Sequence, residues 1–328
     1  MELRGFVKYR LPGEEDYTVL NGFWVKVSHL KGYDNVDFVI SNYDNSFYYI
    51  FHANDDEERP DLEECYRKMD QDEYLNFGEY QEKIIPLIKR IQSKEFSKVI
   101  FSRRKKIGCR IDPNAVFKTL NIQYKNSFNY LLGIEGEGVW MGATPEVLIE
   151  TKDSHHYHMH SLAGTVIRDK SGEYKWTSKE IEEHQYVTDY LLEAFDQVGI
   201  QDVKLDGPND FEHGRVAHIK TEIEIKATED QVNEMMRIVP PTPAVCGIPK
   251  GSVLSQIQEI EGYDRKFYTG TLGIYKKGNV HLFVNLRCME VFMDDACLYL
   301  GGGITAKSDP EKEWDETELK SRTLLDML

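Results

Sequence analysis

The stretch "GGGITAKSDPEKEWDETELK" (residues 301–320) contains the end of a strand, a turn and the start of a helix. Its glycines close the apolar run "ACLYLGGG" (residues 296–303), which predicts a last β-strand whose terminal N–H groups can approach an anion. Asp309 followed by Pro310 is typical of a helix start, because the carboxylate caps free N–H groups and proline fits the first turn. The sequence therefore predicts a β-strand that delivers a flexible glycine segment to the foot of a C-terminal helix.

Two helices of the chain carry glutamates at a spacing that puts them on one face. In the C-terminal helix Glu313 and Glu316 are three residues apart, and in "SKEIEEHQYV" (178–187) Glu180 and Glu183 repeat this spacing. Acidic helix faces are common on protein surfaces, so one interpretation is a solvated face. The other is a shared site for a hard cation, since Mg2+ prefers carboxylate oxygens together with substrate and water. Spacing alone leaves both interpretations open.

The remaining segments favour an α+β fold. Strand-like runs such as "YTVLNGFWVKV" (17–27) and "NVDFVIS" (35–41) come in blocks, and helices do not alternate with them regularly. Helices are predicted over "EYQEKIIPLIKRIQS" (79–93) and after Thr177, which forms a capping-box pattern with Glu180. This order of elements argues against a doubly wound parallel sheet.

Composition excludes several classes of protein. The chain has 328 residues and a net charge of −16, and an acidic surface of this kind repels nucleic acid. It has no run of about 18 apolar residues, so we expect no membrane span, and the N-terminus lacks the apolar segment of a signal peptide. Five scattered cysteines do not form a disulfide or zinc-binding pattern. We therefore expect a cytoplasmic enzyme or binding protein without nucleic-acid or membrane partners.

Nine short motifs follow one another along the chain. They are "SKVIFSR" (97–103), "GATPEVL" (142–148), "LAGT" (162–165), "SKEIEEHQYV" (178–187), "HIKT" (218–221), "PPTPAVCG" (240–247), "FYTGTLG" (267–273), "VNLR" (284–287) and "GGGITAKSDPEKEWDETELK" (301–320). In this order they resemble the chorismate-utilising enzymes, a family that includes isochorismate, anthranilate, aminodeoxychorismate and salicylate synthases. The resemblance spans roughly residues 80–328.

The resemblance implies a fold, a substrate and a cofactor. The implied fold is α+β, with two layered antiparallel β-sheets and helices packed outside. Residues 1–75 are expected to form a short β-rich N-terminal part of the same fold, and residues 76–328 the chorismate-binding catalytic domain. The implied substrate is chorismate and the implied cofactor is Mg2+, and no obligate protein partner is expected.

By their positions in the motifs, Glu183 and Glu316 resemble the family's metal ligands, with Glu180 and Glu313 reaching the ion directly or through water. The residues that resemble substrate-binding positions are Ala163, Gly164, Thr165, His218, Tyr268, Arg287, Gly302, Gly303 and Lys320.

Within that set the resemblance implies a division of roles. Arg287 and Tyr268 resemble the groups that hold the side-chain carboxylate of the substrate. Lys320, with the backbone of the glycine segment, is expected to hold a second carboxylate. His218 is expected near the leaving hydroxyl.

Two positions favour attack by water. Lys98 resembles the lysine that activates water in isochorismate and salicylate synthases, where anthranilate synthases carry glutamine for ammonia. Ala163 stands where aminodeoxychorismate synthases carry a nucleophilic lysine, so a covalent amine route has no nucleophile here. A base must take the proton of the water and an acid must protonate the hydroxyl that leaves. We expect Lys98 to be the base and Glu146 the acid, both on strands that face one cleft, with burial raising the pKa of the glutamic acid.

The sequence-based hypothesis is therefore an isochorismate synthase that serves menaquinone synthesis. The alternatives are a salicylate synthase, which also eliminates pyruvate, an anthranilate- or aminodeoxychorismate-type enzyme, and a non-enzymatic binding member of the fold. A further alternative comes from "HHYHMH" (155–160), where His156, His158 and His160 alternate and would share one strand face. That pattern is either a polar strand face or the zinc site of a histidine-based metallohydrolase.

Overall fold

The protein is described by a computed structural model that covers residues 1–33, 35–54, 56–69, 74–166, 173–213 and 216–328. The strands are β1 (Glu2–Arg10), β2 (Thr18–Val27), β3 (Asn35–Ser41), β4 (Tyr48–Ala53), β5 (Lys98–Ile107), β6 (Phe128–Ile134), β7 (Gly138–Thr144), β8 (Val147–Thr151), β9 (His156–Val166), β10 (Val203–His213), β11 (Val216–Lys226), β12 (Gly247–Ile248), β13 (Thr271–Lys276), β14 (Asn279–Val284), β15 (Cys288–Val291) and β16 (Ala296–Ile304). The helices are α1 (Leu62–Cys65), α2 (Phe77–Gln92), α3 (Pro113–Gln123), α4 (Ser178–Gln197), α5 (Glu229–Ile238), α6 (Lys250–Leu254), α7 (Ile257–Glu261) and α8 (Pro310–Leu325).

Antiparallel hydrogen bonding joins these strands in one series, in the order β10-β11-β9-β8-β14-β13-β3-β4-β2-β1-β6-β7-β15-β16-β5-β12. The series folds over on itself, since Phe128 on β6 stacks on Phe283 on β14 with ring centroids 4.2 Å apart. Five strands separate β6 from β14 in the series, so these rings belong to two facing layers. The expected α+β fold with layered antiparallel strands is confirmed, and the two layers are continuous through hydrogen bonds.

The N-terminal strands make that continuity. Strands β1 to β4 lie in the middle of the series, where β3 pairs with β13 and β1 pairs with β6. The sequence patterns indicated β2, β3 and β4 but missed β1, whose charged residues alternate with apolar ones such as the fully buried Val7. They also missed β10, an edge strand whose mostly exposed side chains carry no apolar pattern.

The helices largely follow the sequence patterns. Helix α2 continues through Pro86, and its buried face includes Ile84 and Leu87. Ile85, which the apolar pattern included, is 42% exposed because it points away from the strand layer. Two short helices, α6 and α7, follow β12. Among the described residues, no helix is long and apolar enough to cross a membrane.

Helices α4 and α8 hold the predicted carboxylates. Thr177 caps α4 in the expected capping box, and Asp309 caps α8 by accepting hydrogen bonds from two backbone N–H groups of the first turn. Helix α8 is fixed to β5 by Arg103, whose Nε donates to Thr317 Oγ1 over 2.9 Å and whose guanidinium covers Trp314. The carboxylate-bearing faces therefore meet the glycine end of β16.

Candidate active site

A cleft with an empty volume of about 670 Å3, part of which is open to solvent, lies at the glycine end of β16. Eleven of the fifteen predicted site residues line the cleft: Glu146, Ala163, Gly164, Thr165, Glu183, His218, Tyr268, Arg287, Gly302, Gly303 and Lys320. The structure thus brings together most of the residues selected from the motifs, although they come from seven separate motifs along the chain.

Lys98 begins β5 and lies beneath the cleft, fully buried. Its Nζ atom is 2.9 Å from a Glu183 oxygen, an ion-pair distance. Nevertheless, this amine forms no well-oriented hydrogen bond to any residue that the structure describes. The amine is therefore held near the Glu183 carboxylate by charge and keeps its capacity to form hydrogen bonds.

Glu146 lies in the connection between β7 and β8 rather than within a strand, which corrects the expectation from the sequence. It is 5% exposed, and burial raises the pKa of its carboxyl to about 7, against the attraction of Lys98, Lys320 and Arg287. A carboxyl with this pKa holds a proton for much of the time near neutral pH. It can therefore act as a proton donor in the cleft.

A chain of hydrogen bonds orients His218. Arg287 Nη2 donates to His218 Nε2 over 3.1 Å, and the opposite ring nitrogen, Nδ1, lies 3.1 Å from the carbonyl oxygen of Gly164. This network assigns the imidazole proton to Nδ1. Burial, followed by the charges of Arg287 and Lys320, lowers the pKa of His218 well below its usual range. His218 is therefore a neutral group, and Arg287 remains the cation at this side of the cleft.

The glycines of β16 allow polar groups to approach its backbone. Lys320 Nζ donates to the Gly301 carbonyl over 2.9 Å. A Cβ atom on Gly301 would lie 2.7 Å from the Tyr268 hydroxyl, so a larger residue would push this tyrosine away. The cleft thus presents Lys320, Tyr268 and Arg287 as separate groups for binding negative charge.

The acidic wall of the site belongs to α8. Glu316 Oε1 accepts from Lys320 Nζ over 2.5 Å, and Glu313 Oε1 accepts from Lys179 Nζ over the same distance. Burial opposes ionisation of both carboxyls, yet the Lys320 ammonium lowers the pKa of Glu316, while that of Glu313 is raised to about 7. Burial would lower the pKa of Lys179, but attraction by Glu313 and the other two carboxylates raises it. Each carboxylate is therefore paired with an ammonium.

The donor set fits a hard divalent cation in its chemistry. Glu183, Glu313 and Glu316 supply oxygen atoms, and the buried Oε2 of Glu313 has no hydrogen-bond partner among the described residues. Glu180 differs, because its Oε2 accepts from the backbone N and hydroxyl of Thr177 in the capping box. Within the described ranges, no three of these glutamates bring one oxygen each within 4.8 Å of one another. Instead, one oxygen of Glu313 and one of Glu316 each accept a hydrogen bond from a lysine ammonium, Lys179 and Lys320 respectively.

Lys179 is the functional candidate that the motifs did not indicate. It lies four residues before Glu183 in "SKEIEEH". The structure shows a side chain that is only 16% exposed and faces Glu313 on α8, 134 residues away. The i, i+4 spacing to Glu183 was the only local signal, and it could not show that the partner comes from another helix.

Taken together, the layered fold and the cation-lined cleft define a class of α+β proteins that bind a small anionic molecule. The chain belongs to the family described as chorismate binding enzyme, which matches residues 24–328. That match begins well before the region in which the sequence motifs are recognisable, and it includes β3, β4 and the end of β2.

Curated relatives share this region. The chain is 26% identical over 261 residues to the vibriobactin-specific isochorismate synthase of Vibrio cholerae, which covers 75% of this chain and 66% of that protein. It is 28% identical over 271 residues to isochorismate synthase MenF of Bacillus subtilis, which covers 78% of this chain and 56% of that protein. The chain thus spans less than two thirds of the length of these relatives.

Solved structures share the fold. MenF, the menaquinone-specific isochorismate synthase from Escherichia coli, superposes with a TM-score of 0.80 at 18% identity, over 99% of this chain and 88% of that one. Anthranilate synthase component I from Streptococcus pneumoniae superposes with a TM-score of 0.70 at 14% identity, over 98% and 92% of the two chains. Because both reactions occur on this fold, the reaction has to be argued from the cleft.

Proposed function

We propose that this chain is an isochorismate synthase that converts chorismate to isochorismate with Mg2+. The observation that carries the proposal is the buried Glu146 carboxyl, whose pKa of about 7 suits a general acid, in the cleft that also lies above Lys98. The names of the curated relatives agree with this reaction. Ala163 in the cleft wall supports it further, because no lysine is available there as a nucleophile.

The substrate is held by its negative groups. Arg287 and Tyr268 bind the side-chain carboxylate, and Lys320 with the N–H groups of Gly302 and Gly303 binds the second one. His218, neutral and fixed by Arg287, lines the side from which the hydroxyl leaves. These contacts fix the ring before any bond changes, which is how a positioned site removes the entropic cost of reaction.

The chemistry requires one proton to be taken and one to be given. The Lys98 amine removes a proton from a water molecule whose oxygen bonds to C2 of the ring. As the ring double bonds shift, the C4–O bond breaks, and Glu146 donates its proton to the departing hydroxyl, which leaves as water. Atoms balance, because the water added at C2 replaces the water lost from C4. The metal, held by Glu183 and Glu316 with Glu313, would withdraw electron density from the ring through a carboxylate.

The central experiment is chromatography of the products formed from chorismate, with and without EDTA. Formation of isochorismate that stops with EDTA and returns with Mg2+ is expected. A fluorescent salicylate product would replace the proposal by a salicylate synthase, and an amino-substituted product by an anthranilate- or aminodeoxychorismate-type enzyme. Absence of any turnover would favour the non-enzymatic binding member of the fold.

The assignments of base, acid and metal ligand are tested by substitution. Lys98→Ala should reduce turnover by at least about a hundredfold, the scale of a lost general base. Near-normal turnover would remove Lys98 from the mechanism. Glu316→Gln should weaken Mg2+ binding in a calorimetric titration, and unchanged Mg2+ affinity would remove Glu316 from the metal site.

The menaquinone role is part of the same proposal and rests on the likeness to MenF of Bacillus subtilis. Deletion of the coding sequence in the native host should abolish menaquinone and leave siderophore production intact. The reverse result would assign the product to siderophore synthesis, as the name of the Vibrio relative indicates for that protein.

A further inference from the structure

A second group of candidate ligands lies away from the cleft, on neighbouring strands of one layer. His158 and His160 alternate on β9 and therefore share a face. Glu222 on β11 is directly opposite His160, and Glu150 on β8 is directly opposite His158. His281 on β14 is opposite Glu150 in turn, so a row of imidazoles and carboxylates crosses four strands.

Three members of this row already lie at metal-binding distances from one another. One ligand atom each from His158, His160 and Glu222 falls within 4.8 Å of the others. His158 Nε2 is 3.6 Å from Glu222 Oε2. A tetrahedral zinc ion with bonds of about 2.0–2.1 Å requires ligand atoms about 3.3 Å apart. Small side-chain rotations would therefore close the group around an ion.

His158 is oriented for such a role. Its Nδ1 lies 3.0 Å from Glu150 Oε1, a contact that fixes the ring proton on Nδ1 and leaves a lone pair on Nε2. The residue is only 7% exposed, and Nε2 has no hydrogen-bond partner among the residues that the structure describes. A carboxylate behind a histidine is the usual support for a metal-binding imidazole. An unpartnered buried nitrogen aimed at a glutamate is costly unless a ligand binds it.

The other two residues are also ready to bind. Burial, together with His158, lowers the pKa of His160 to about 3, so its imidazole is neutral at pH 7, and its Nδ1 has no partner in the described parts of the chain. Glu222 Oε1 accepts a hydrogen bond from Lys220 Nζ over 2.6 Å, which leaves Oε2 facing His158. The Glu222 side chain is 43% exposed, so an ion has a route from solvent.

We propose that His158, His160 and Glu222 form a transition-metal site that takes Zn2+, with Glu150 as the positioning residue behind His158. Two imidazoles and one carboxylate are a donor set that zinc uses with a fourth position left to water. The site is separate from the carboxylates of α4 and α8, which suit Mg2+. A bound ion would tie β9 to β11, the strands that carry Gly164 and His218 to the cleft.

The proposal is tested by titrating Zn2+ into the full-length, chelator-treated protein in the presence of excess Mg2+. One equivalent should bind, and Co2+ at the same site should give the visible absorption of tetrahedral coordination. His160→Gln and Glu222→Gln should each weaken Zn2+ binding by at least about tenfold, and Glu150→Gln by about 10–100-fold. His160 and Glu222 are partly exposed, and Glu150 acts on the ion only through His158. Circular dichroism of the metal-free variants verifies that the variants fold.

The matched control is His156→Gln, which removes a half-exposed histidine of the same strand that contacts Asp153 instead. It should leave Zn2+ affinity unchanged, as should Glu316→Gln in the cleft wall. Equal loss in the His156 control, or full Zn2+ binding by the His160 variant, would overturn the site. Loss only in the Glu316 variant would assign the zinc to the cleft carboxylates, and none of these outcomes depends on chorismate turnover.

Discussion

Buried charged groups contact strand β5 at two places, and their pairing differs. In the first, the Ile100 carbonyl of β5 accepts a hydrogen bond from the guanidinium of Arg265 over 2.7 Å. Arg265 also bonds to both oxygens of Glu261, and Glu261 in turn accepts from the backbone N and the hydroxyl of Ser102. Every charged group in this network is fully paired.

At the start of β5 the arrangement is open. The Lys98 amine is close to Glu183 but makes no well-oriented hydrogen bond, and no described residue donates to the Glu146 carboxyl. Burial is similar in the two places, with 2% exposure for Arg265 and 5% for Glu146. Burial alone therefore does not distinguish a structural charged group from a reactive one. Buried charge stabilises where it is fully paired, and it becomes available for chemistry where pairing is left incomplete.

The fully paired network of Arg265, Glu261 and Ser102 should contribute strongly to stability. Glu261→Gln leaves the Arg265 guanidinium buried without a countercharge, so the free energy of unfolding should fall by about 3–5 kcal/mol. Urea denaturation at pH 7 measures this loss of stability. Glu95→Gln, at an exposed partner of Arg90, should leave the midpoint unchanged. If the Glu261 variant is as stable as the parent, the network is not a structural ion pair and the comparison fails.

Glu146→Gln should raise the free energy of unfolding instead of lowering it. Because burial raises the folded-state pKa to about 7 from the ordinary 4.5, the native chain keeps a proton that the unfolded chain releases between these pH values. The stability that this group contributes is present below pH 4.5 and is lost as pH rises to 7. The variant should thus exceed the parent by roughly 3 kcal/mol at pH 8 and by much less at pH 5.

The same substitution should lower chorismate turnover by at least about a hundredfold, because the amide cannot donate the acid's proton. Unfolding free energies at the two pH values and turnover of the same preparations are the measurements. A gain in stability that is equal at pH 5 and pH 8 would show that Glu146 does not titrate in this range.

These two regions also show which parts of the structure could be predicted from the sequence. Lys98 and Glu146 are candidates because each stands in a motif, and the glycine segment indicated that they would lie close to one cleft. Glu261 and Arg265 look like an ordinary i, i+4 surface pair, and their contact with Ser102 crosses 159 residues. The same limit hid Lys179 and the continuous strand series, since a local pattern does not contain the partner of a long-range contact.

The open region needs space as well as unpaired groups. A Cβ atom on Gly303 would overlap a Glu183 oxygen and lie 3.1 Å from Lys98 Cε, whereas one on Gly302 would lie 3.5 Å from its nearest neighbour, a Glu313 oxygen. Gly303→Ala should therefore cost about 1–3 kcal/mol through overpacking and reduce kcat/KM by more than tenfold. Gly302→Ala is the matched control for packing and should change the free energy of unfolding much less. Equal effects would mean that the spacing between Lys98 and Glu183 is not critical.

Lys179 lies beside the cleft and pairs with one of its carboxylates, so its removal should change Mg2+ binding only moderately. Its ammonium is held by Glu313, a carboxylate of the proposed Mg2+ site, so it competes with the ion for the same oxygen. Lys179→Met should therefore tighten Mg2+ binding about fivefold in a calorimetric titration, a change of about 1 kcal/mol. Lys307→Met removes an exposed ammonium that pairs with Glu182 at the same end of α4, and it should leave the affinity unchanged. Weaker Mg2+ binding in the Lys179 variant would mean that this lysine holds the carboxylates in position, and the acidic wall would then belong with the closed network rather than with the open one.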